Sequence, residues 1–392
     1  MRTQNSNGCP RRILMTVDPI GGVWTYALEL ARALESDGIE VILASMGARL
    51  SRQQYTDVLT RKNLWLFEST YRLEWMDEPW DDVDRAGDWL LKLADRARPD
   101  LVHLNGYSHA ALPWRSPVVV TAHSCVLSWW TAVKKQPPPA RYAEYRTRVA
   151  AGLAAADCVV APTVAMREAL AIHYDSQFNC IVIPNGRDHR PFFCAEKTNN
   201  IFSCGRIWDE AKNLRLLDGI ASVVSWPILV AGDCRHPSGS IVTLENARCL
   251  GKLSPQETAE QFSRAAMFVL PAYYEPFGLS ALEAALSGCA LVLGDIPSLR
   301  ESWHGAAIFV SPDDATQLAT AVTGLIENRR RREHFGQRAR ARALEFSLHK
   351  MASGYLDVYR ACLRQPFARP AGNAERPSAN LNPRLVPEEV PA

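Results

Sequence analysis

Short apolar runs alternate with longer amphipathic ones along most of the chain. Arg12 to Val17 (RILMTV) reads as a buried strand, and Gly21 and Gly22 follow it. Val23 to Glu35 then carries apolar residues at helical spacing until Gly38 stops it. Ile39 to Ser45 is the next strand, and Leu101 to Leu104, Pro117 to Thr121, Cys158 to Ala161 and Cys180 to Ile183 are further β-rich runs. Helical stretches lie between several of them. Strands that alternate with helices predict an α/β protein with a mostly parallel, doubly wound sheet.

Pro184-Asn185-Gly186 reads as a turn, and a second alternating series starts at Ile201. Its strands are Ile201 to Cys204, Pro227 to Ala231, Ala247 to Leu250, Met267 to Leu270, Ala290 to Leu293 and Ala306 to Val310. Gln256 to Ala265, Leu279 to Leu286 and Ala315 to Glu327 are helices between them. The pattern predicts two Rossmann-like domains joined near 185–199. Ligands of open α/β sheets bind outside the carboxyl ends of the strands, so the expected site is the cleft between the two domains.

Composition narrows the function. The chain of 392 residues is 47 % hydrophobic and 22 % charged, which is ordinary globular composition. Lys and Arg total 44 against 42 for Asp and Glu, a balance that argues against a nucleic-acid binder. The N-terminus is polar and no apolar run is long enough for a membrane span, so the cytoplasm is the expected location. The cysteines form no Cys-x-x-Cys pair and read as reduced thiols. The arginine-rich helix from Arg329 onward reads as a solvated face, with an anionic membrane surface as the alternative. The proline-rich stretch 366–392 reads as a disordered tail.

The chemistry concentrates at predicted strand ends. Gly21 and Gly22 let the backbone approach a ligand, and the helix start offers N–H groups to an anion. The turn is not G-x-G-x-x-G, which weakens a nicotinamide dinucleotide reading. Arg206 and Lys212 flank the end of the strand at Cys204 and suit a pyrophosphate, or are two surface cations. Glu275-Pro-Phe-Gly-Leu-Ser-Ala-Leu-Glu283 is the strongest local signal. Pro276 and Gly278 turn sharply into a helix whose first N–H groups, at Gly278 and Leu279, point toward an anion. Glu275 in the turn and Glu283 in the helix suit sugar hydroxyls. A glycosidase pair is the rival reading, because it too needs two carboxylates. His123 ends the strand at Ala122 and is either a substrate contact or a structural histidine. Trp24, Asn105, Tyr107 and His109 lie near strand ends as well.

Together these segments resemble the retaining glycosyltransferases of family 4, which have the GT-B fold. The resemblance runs from about Arg12 to about Leu363 and is carried by GGVWTYALELARAL (21–34), VVVTAHS (118–124), VIPNG (182–186), CGRIWDEAKNL (204–214), LGKLS (250–254), VLPAYYEPFGLSALEAALSG (269–288) and IPSLRES (296–302). It implies that Arg206 and Lys212 neutralise a departing diphosphate, helped by the Gly278 and Leu279 amides. It implies that Glu283 binds the ribose, Glu275 the transferred sugar, and His123 the donor sugar. Gly21 and Gly22 would approach the phosphate or the acceptor. The base would lie near Gly251, Lys252 and Leu253. Family members work without a bound metal or other cofactor, and the nucleotide-sugar is a co-substrate.

The resemblance therefore predicts an acceptor-binding domain over 1–187, a nucleotide-sugar-binding domain over 188–349 and a helix over 350–365 that crosses back. The expected reaction moves a sugar from a nucleotide-diphosphate sugar to a saccharide, lipid-linked or small-molecule acceptor, with a peripheral membrane contact left open. A nucleotide-sugar epimerase, a phosphorylase, or a non-catalytic nucleotide-sugar binder are the alternatives.

Overall fold

The computed structural model describes residues 8–174, 178–236 and 239–364; the tail expected over 366–392 lies outside them. The first sheet holds β1 (Arg12–Val17), β2 (Glu40–Ser45), β3 (Leu64–Glu68), β4 (Leu101–Leu104), β5 (Val118–Thr121), β6 (Cys158–Ala161) and β7 (Cys180–Val182). The second holds β8 (Thr198–Cys204), β9 (Ile228–Ala231), β10 (Arg248–Gly251), β11 (Ala265–Leu270), β12 (Ala290–Gly294) and β13 (Ala307–Val310). Their orders are β3-β2-β1-β4-β5-β6-β7 and β10-β9-β8-β11-β12-β13. Every pairing within them is parallel. This is the expected doubly wound arrangement, twice.

The helices of the first half are α1 (Gly22–Leu34), α2 (Arg52–Leu59), α3 (Trp80–Ala97), α4 (Val126–Lys134), α5 (Ala143–Ala155) and α6 (Val164–His173). Those after it are α7 (Leu214–Ile220), α8 (Pro255–Arg264), α9 (Leu279–Leu286), α10 (Pro297–Trp303), α11 (Ala315–Glu327), α12 (Arg329–Ala343) and α13 (Leu348–Arg364). The sequence reading named no element between Ser45 and Leu101. The structure has three there. β3 is an edge strand that is half-buried on both faces from Trp65 onward, although Leu64 to Phe67 is a continuous apolar run. α3 buries Val83, Ala86, Leu90, Leu93 and Ala97, a regular helical stripe.

α13 returns to the first sheet. Its Met351, Tyr355 and Tyr359 lie in the same core as Ile13, Leu30 and Val119. A buried polar chain locks it there. His103 Nδ1 lies 2.7 Å from the Tyr359 hydroxyl and Nε2 lies 2.7 Å from Thr121 Oγ1. Tyr355 reaches Thr121 at 3.1 Å. Burial pushes His103 down to about 3, so the ring is neutral and both nitrogens need a partner.

Arg329, Arg330, Arg331 and Arg338 of α12 are exposed, as a solvated face requires, whereas Arg332, Arg340 and Arg342 dock on other helices. Arg332 donates to the Leu325 and Ile326 carbonyls at the end of α11 and lies over the Trp226 ring. Arg340 donates to the Leu286 carbonyl at the end of α9, and Arg342 to the Ser302 carbonyl in α10. Cations belong at helix carboxyl ends, where carbonyls lack intrahelical partners. No helix among the described residues is long and apolar enough to cross a membrane.

The two sheets meet through α6 and α4. Glu301 of α10 accepts from the Val164 and Ala165 amides at the start of α6, at 2.8 and 3.0 Å. Thr163 Oγ1 donates to the Pro276 carbonyl, and the Tyr274 hydroxyl accepts from the Cys125 amide. Tyr359→Phe removes one hydroxyl from the lock and strands His103 Nδ1. Such a loss costs about 1–3 kcal/mol. Urea unfolding is expected to show a lower midpoint at unchanged slope; an unchanged midpoint rejects the locking role.

Candidate active site

All strands of each sheet run parallel, so their carboxyl ends share one edge. β8 delivers Gly205 and Arg206, and β11 delivers the segment 271–278. Arg206 Nη2 donates to Asp209 Oδ2 at 2.6 Å and its guanidinium lies over the Trp208 ring. Asp209 is buried and also accepts from the Ala211 amide and from Trp129 Nε1 of the first half. Burial alone would raise its pKa, but Arg206 and Lys212 hold it below the usual carboxylate range.

Lys212 Nζ lies 2.5 Å from Glu275 Oε2. The other oxygen of Glu275 accepts from the Gly278 amide at 3.1 Å. The expected cations and Glu275 thus do converge. The Gly278 amide, expected to be open to an anion, is instead held by Glu275. Gly278 itself has φ 91°, the left-handed geometry that opens α9.

Gly21 and Gly22 sit at the start of α1, directly across from α9. A Cβ on Gly22 would lie 3.2 Å from Leu279 Cδ1, so glycine permits this approach. Leu279 is half-buried. Lys252 is exposed after β10, with Leu253 packed against the second core.

His123 belongs to a polar relay. Asn105 Nδ2 donates to the Thr16 carbonyl at 2.6 Å, which turns Oδ1 toward His123 Nε2 at 2.8 Å. Nε2 therefore carries the proton. Burial pushes the ring to about 3, so it is neutral, although part of its surface still opens. Tyr107 and His109 are not placed for a ligand. The Tyr107 hydroxyl donates to the Ser124 carbonyl, and His109 Nε2 bonds the Val83 carbonyl. Trp24 is buried in the core beside α13.

Two groups escaped the sequence reading. Asp18 ends β1, immediately before the glycine turn. It accepts from the Ile20 amide at 2.8 Å and from Trp75, and it faces Arg206 across the cleft. Burial raises it to about 6 against these partners. Its signal was position alone, the same strand-end rule that selected His123. The other is Arg187, which follows the Asn185-Gly186 turn. Its Nε donates to Glu283 Oε1 at 2.8 Å and its Nη1 to Glu29 Oε1 of α1. Glu283 is therefore placed, but with Arg187 as its partner. Burial alone would lower the Arg187 pKa; Glu283 and Glu29 more than offset that and raise it. No three His, Cys, Asp or Glu side chains group as a metal site among the described residues.

Comparison with known proteins matches this arrangement. Residues 20–190 match the family model described as Glycosyltransferase Family 4, and 236–342 match Glycosyl transferases group 1. The glycogen synthase of Mycobacterium tuberculosis (strain H37Rv) is 36 % identical over 124 residues, 31 % of this chain and 30 % of that protein. The D-inositol 3-phosphate glycosyltransferase of Nocardia farcinica is 31 % identical over 120 residues, 30 % of this chain and 27 % of that one. The match thus spans about a third or less of these relatives. Among solved structures, sucrose-phosphate synthase from Thermosynechococcus elongatus superposes with TM-score 0.76 at 19 % identity, covering 90 % of this chain and 98 % of that one. Anabaena Alr3699/HepE in complex with UDP-glucose gives TM-score 0.72 at 16 % identity, covering 89 % and 99 %. The two family matches lie on the two parallel sheets, in the order that the GT-B fold requires, and the chain belongs to the family 4, group 1 glycosyltransferases.

Proposed function

We propose that the protein transfers a sugar from a nucleotide-diphosphate sugar to an acceptor hydroxyl with retention of configuration. The observation that carries this reading is the convergence of Arg206, Lys212 and Glu275 at the ends of β8 and β11, opposite Gly21 and Gly22. The solved relative in complex with UDP-glucose supports a nucleotide-sugar donor.

One carboxylate holds both groups that the donor needs. Glu275 binds the Lys212 ammonium and the Gly278 amide at once. When a diphosphate enters, Lys212 and the Gly278 amide pass to its oxygens, and Glu275 turns to hydroxyls of the transferred sugar. Arg206 adds a second, planar donor. Charge that develops on the leaving phosphate meets groups already aimed at it. These two cations supply the positive charge, and no metal is assigned to the step. The acceptor oxygen bonds to the anomeric carbon on the face that the phosphate leaves. The bond from that carbon to phosphate oxygen breaks, and the phosphate takes the hydroxyl proton. Neutral His123 offers the sugar a polar contact without a positive charge. Glu283 receives the ribose hydroxyls, and the base lies beside Lys252 and Leu253.

Thermal-shift measurement with UDP-, GDP- and ADP-sugars tests the donor class. Ligand at a hundred times its dissociation constant adds about 2.7 kcal/mol of stability. A shift with one nucleotide series supports the reading, and none with any series rejects it. Lys212→Ala is expected to lower turnover by about 10²-fold or more in protein that remains folded, by the magnitude typical of a lost charge-stabilising donor. Full activity in this variant rejects the site.

Asp18 gives the cleft a pH dependence. Its folded pKa, about 6, lies above the ordinary carboxylate value, so its contribution to stability is complete below about pH 4 and is lost as pH rises through 6. Asp18→Asn is therefore expected to raise stability at pH 7 by roughly 1–3 kcal/mol, with the gain vanishing toward pH 4. A gain that does not depend on pH between 4 and 7 rejects the assignment.

A further inference from the structure

We propose that Arg187 is a positioning residue that sets the nucleotide-binding carboxylate of Glu283 and ties its posture to α1 of the opposite half. This rests on the reading of Glu283 as the ribose-binding group.

The backbone at Arg187 is fixed where the chain crosses between the halves. Its amide donates to the Phe346 carbonyl at 3.1 Å, and it bridges in parallel to Ser347. The adjacent Gly186 admits no side chain, because a Cβ there would lie 2.4 Å from the Ser347 carbonyl oxygen. From this anchor the guanidinium reaches two carboxylates on different helices. Nε holds Glu283 on α9 and Nη1 holds Glu29 on α1. The chain of charges goes on. Glu29 Oε2 accepts from Arg32 at 2.7 Å, and Arg32 reaches Asp188 at 2.6 Å. Arg187, Glu283 and Glu29 are only 15 %, 15 % and 12 % exposed at their side chains, so solvent screens these pairs weakly.

The placement on the two helices gives the network its meaning. Glu29 lies about two turns beyond Gly22, and Glu283 about one turn beyond Leu279. Gly22 and Leu279 are the residues whose close approach brings the two helix starts together. One guanidinium therefore fixes the spacing between the helices whose first residues flank the donor phosphates. It also occupies Glu283 Oε1 from one side and sets the plane of the carboxylate, leaving Oε2 for ribose. If the halves move apart, either the Glu29 contact breaks or the Glu283 contact does. Glu29 lies about two turns from the helix start at Gly22, yet in this arrangement donor affinity depends on it.

Steady-state kinetics on the full chain tests this, with the nucleotide-sugar that stabilises the wild type as the probe. Arg187→Met is expected to raise donor KM roughly tenfold or more, the effect of one lost charged contact, with acceptor KM unchanged. Glu29→Gln is expected to raise donor KM by a smaller factor. Arg187→Lys is expected to recover part of the loss. The double variant Glu29→Gln/Arg187→Met is expected to match Arg187→Met alone, because both act through one contact. If Arg187→Met does not fold, Glu29→Gln and Arg187→Lys carry the test. Wild-type donor KM in every folded variant overturns the inference, as does an equal rise in donor and acceptor KM. Glu283→Ala separates the two levels. Unchanged donor KM in that variant rejects the ribose assignment itself. A raised donor KM there, with Arg187 and Glu29 variants at wild-type values, rejects only the role of Arg187.

Discussion

The cleft depends on charges that are already paired before any ligand arrives. A cation beside a strand end must be both oriented and neutralised, since a bare charge in a half-buried cleft carries a large desolvation cost. Here each cation has a resident carboxylate: Asp209 for Arg206, Glu275 for Lys212, Glu283 for Arg187.

The parallel sheets make such pairing possible across distant sequence. Arg206 and Asp209 are three residues apart, but Lys212 and Glu275 are brought together from β8 and β11, neighbours only in the sheet. The first half contributes Trp129 to Asp209 and Asp18 to Arg206. The second half is therefore not electrostatically complete by itself. The Arg206–Asp209 pair feels groups from both sheets, and this is what a cleft between two halves achieves that a single sheet edge does not.

What was legible in the sequence follows from period and position. Buried parallel strands such as Val118–Thr121 and Ala290–Gly294 are continuous apolar runs, and their bounds agree with the reading to within a residue. Strand ends then pointed to Arg206, Lys212, Glu275 and His123. β3 was passed over although Leu64 to Phe67 is a continuous apolar run, because so short a run does not by its period separate a strand from other apolar segments. That Glu275 turns back onto the Gly278 amide was not legible, because a helix start says nothing of which side chain caps it. Arg187 and Glu29 were beyond reach for a related reason. They lie 158 residues apart and meet only through the packing of the joint. The same holds for Arg332, Arg340 and Arg342 of α12, whose targets are carbonyls of other helices and carry no residue-type signal.

The docking of α13 has a consequence for synthesis. The core of the first sheet takes Met351, Tyr355 and Tyr359 as part of its wall, and His103 and Thr121 take hydroxyls from them. A ribosome that has released the first half has not yet made those residues. Until α13 emerges, the nascent first half carries an open apolar groove and a buried-to-be histidine without its partner. The second sheet has its own core and needs no such completion. The usual order, in which the N-terminal unit folds first during translation, is thereby reversed for the final step. The first half closes last.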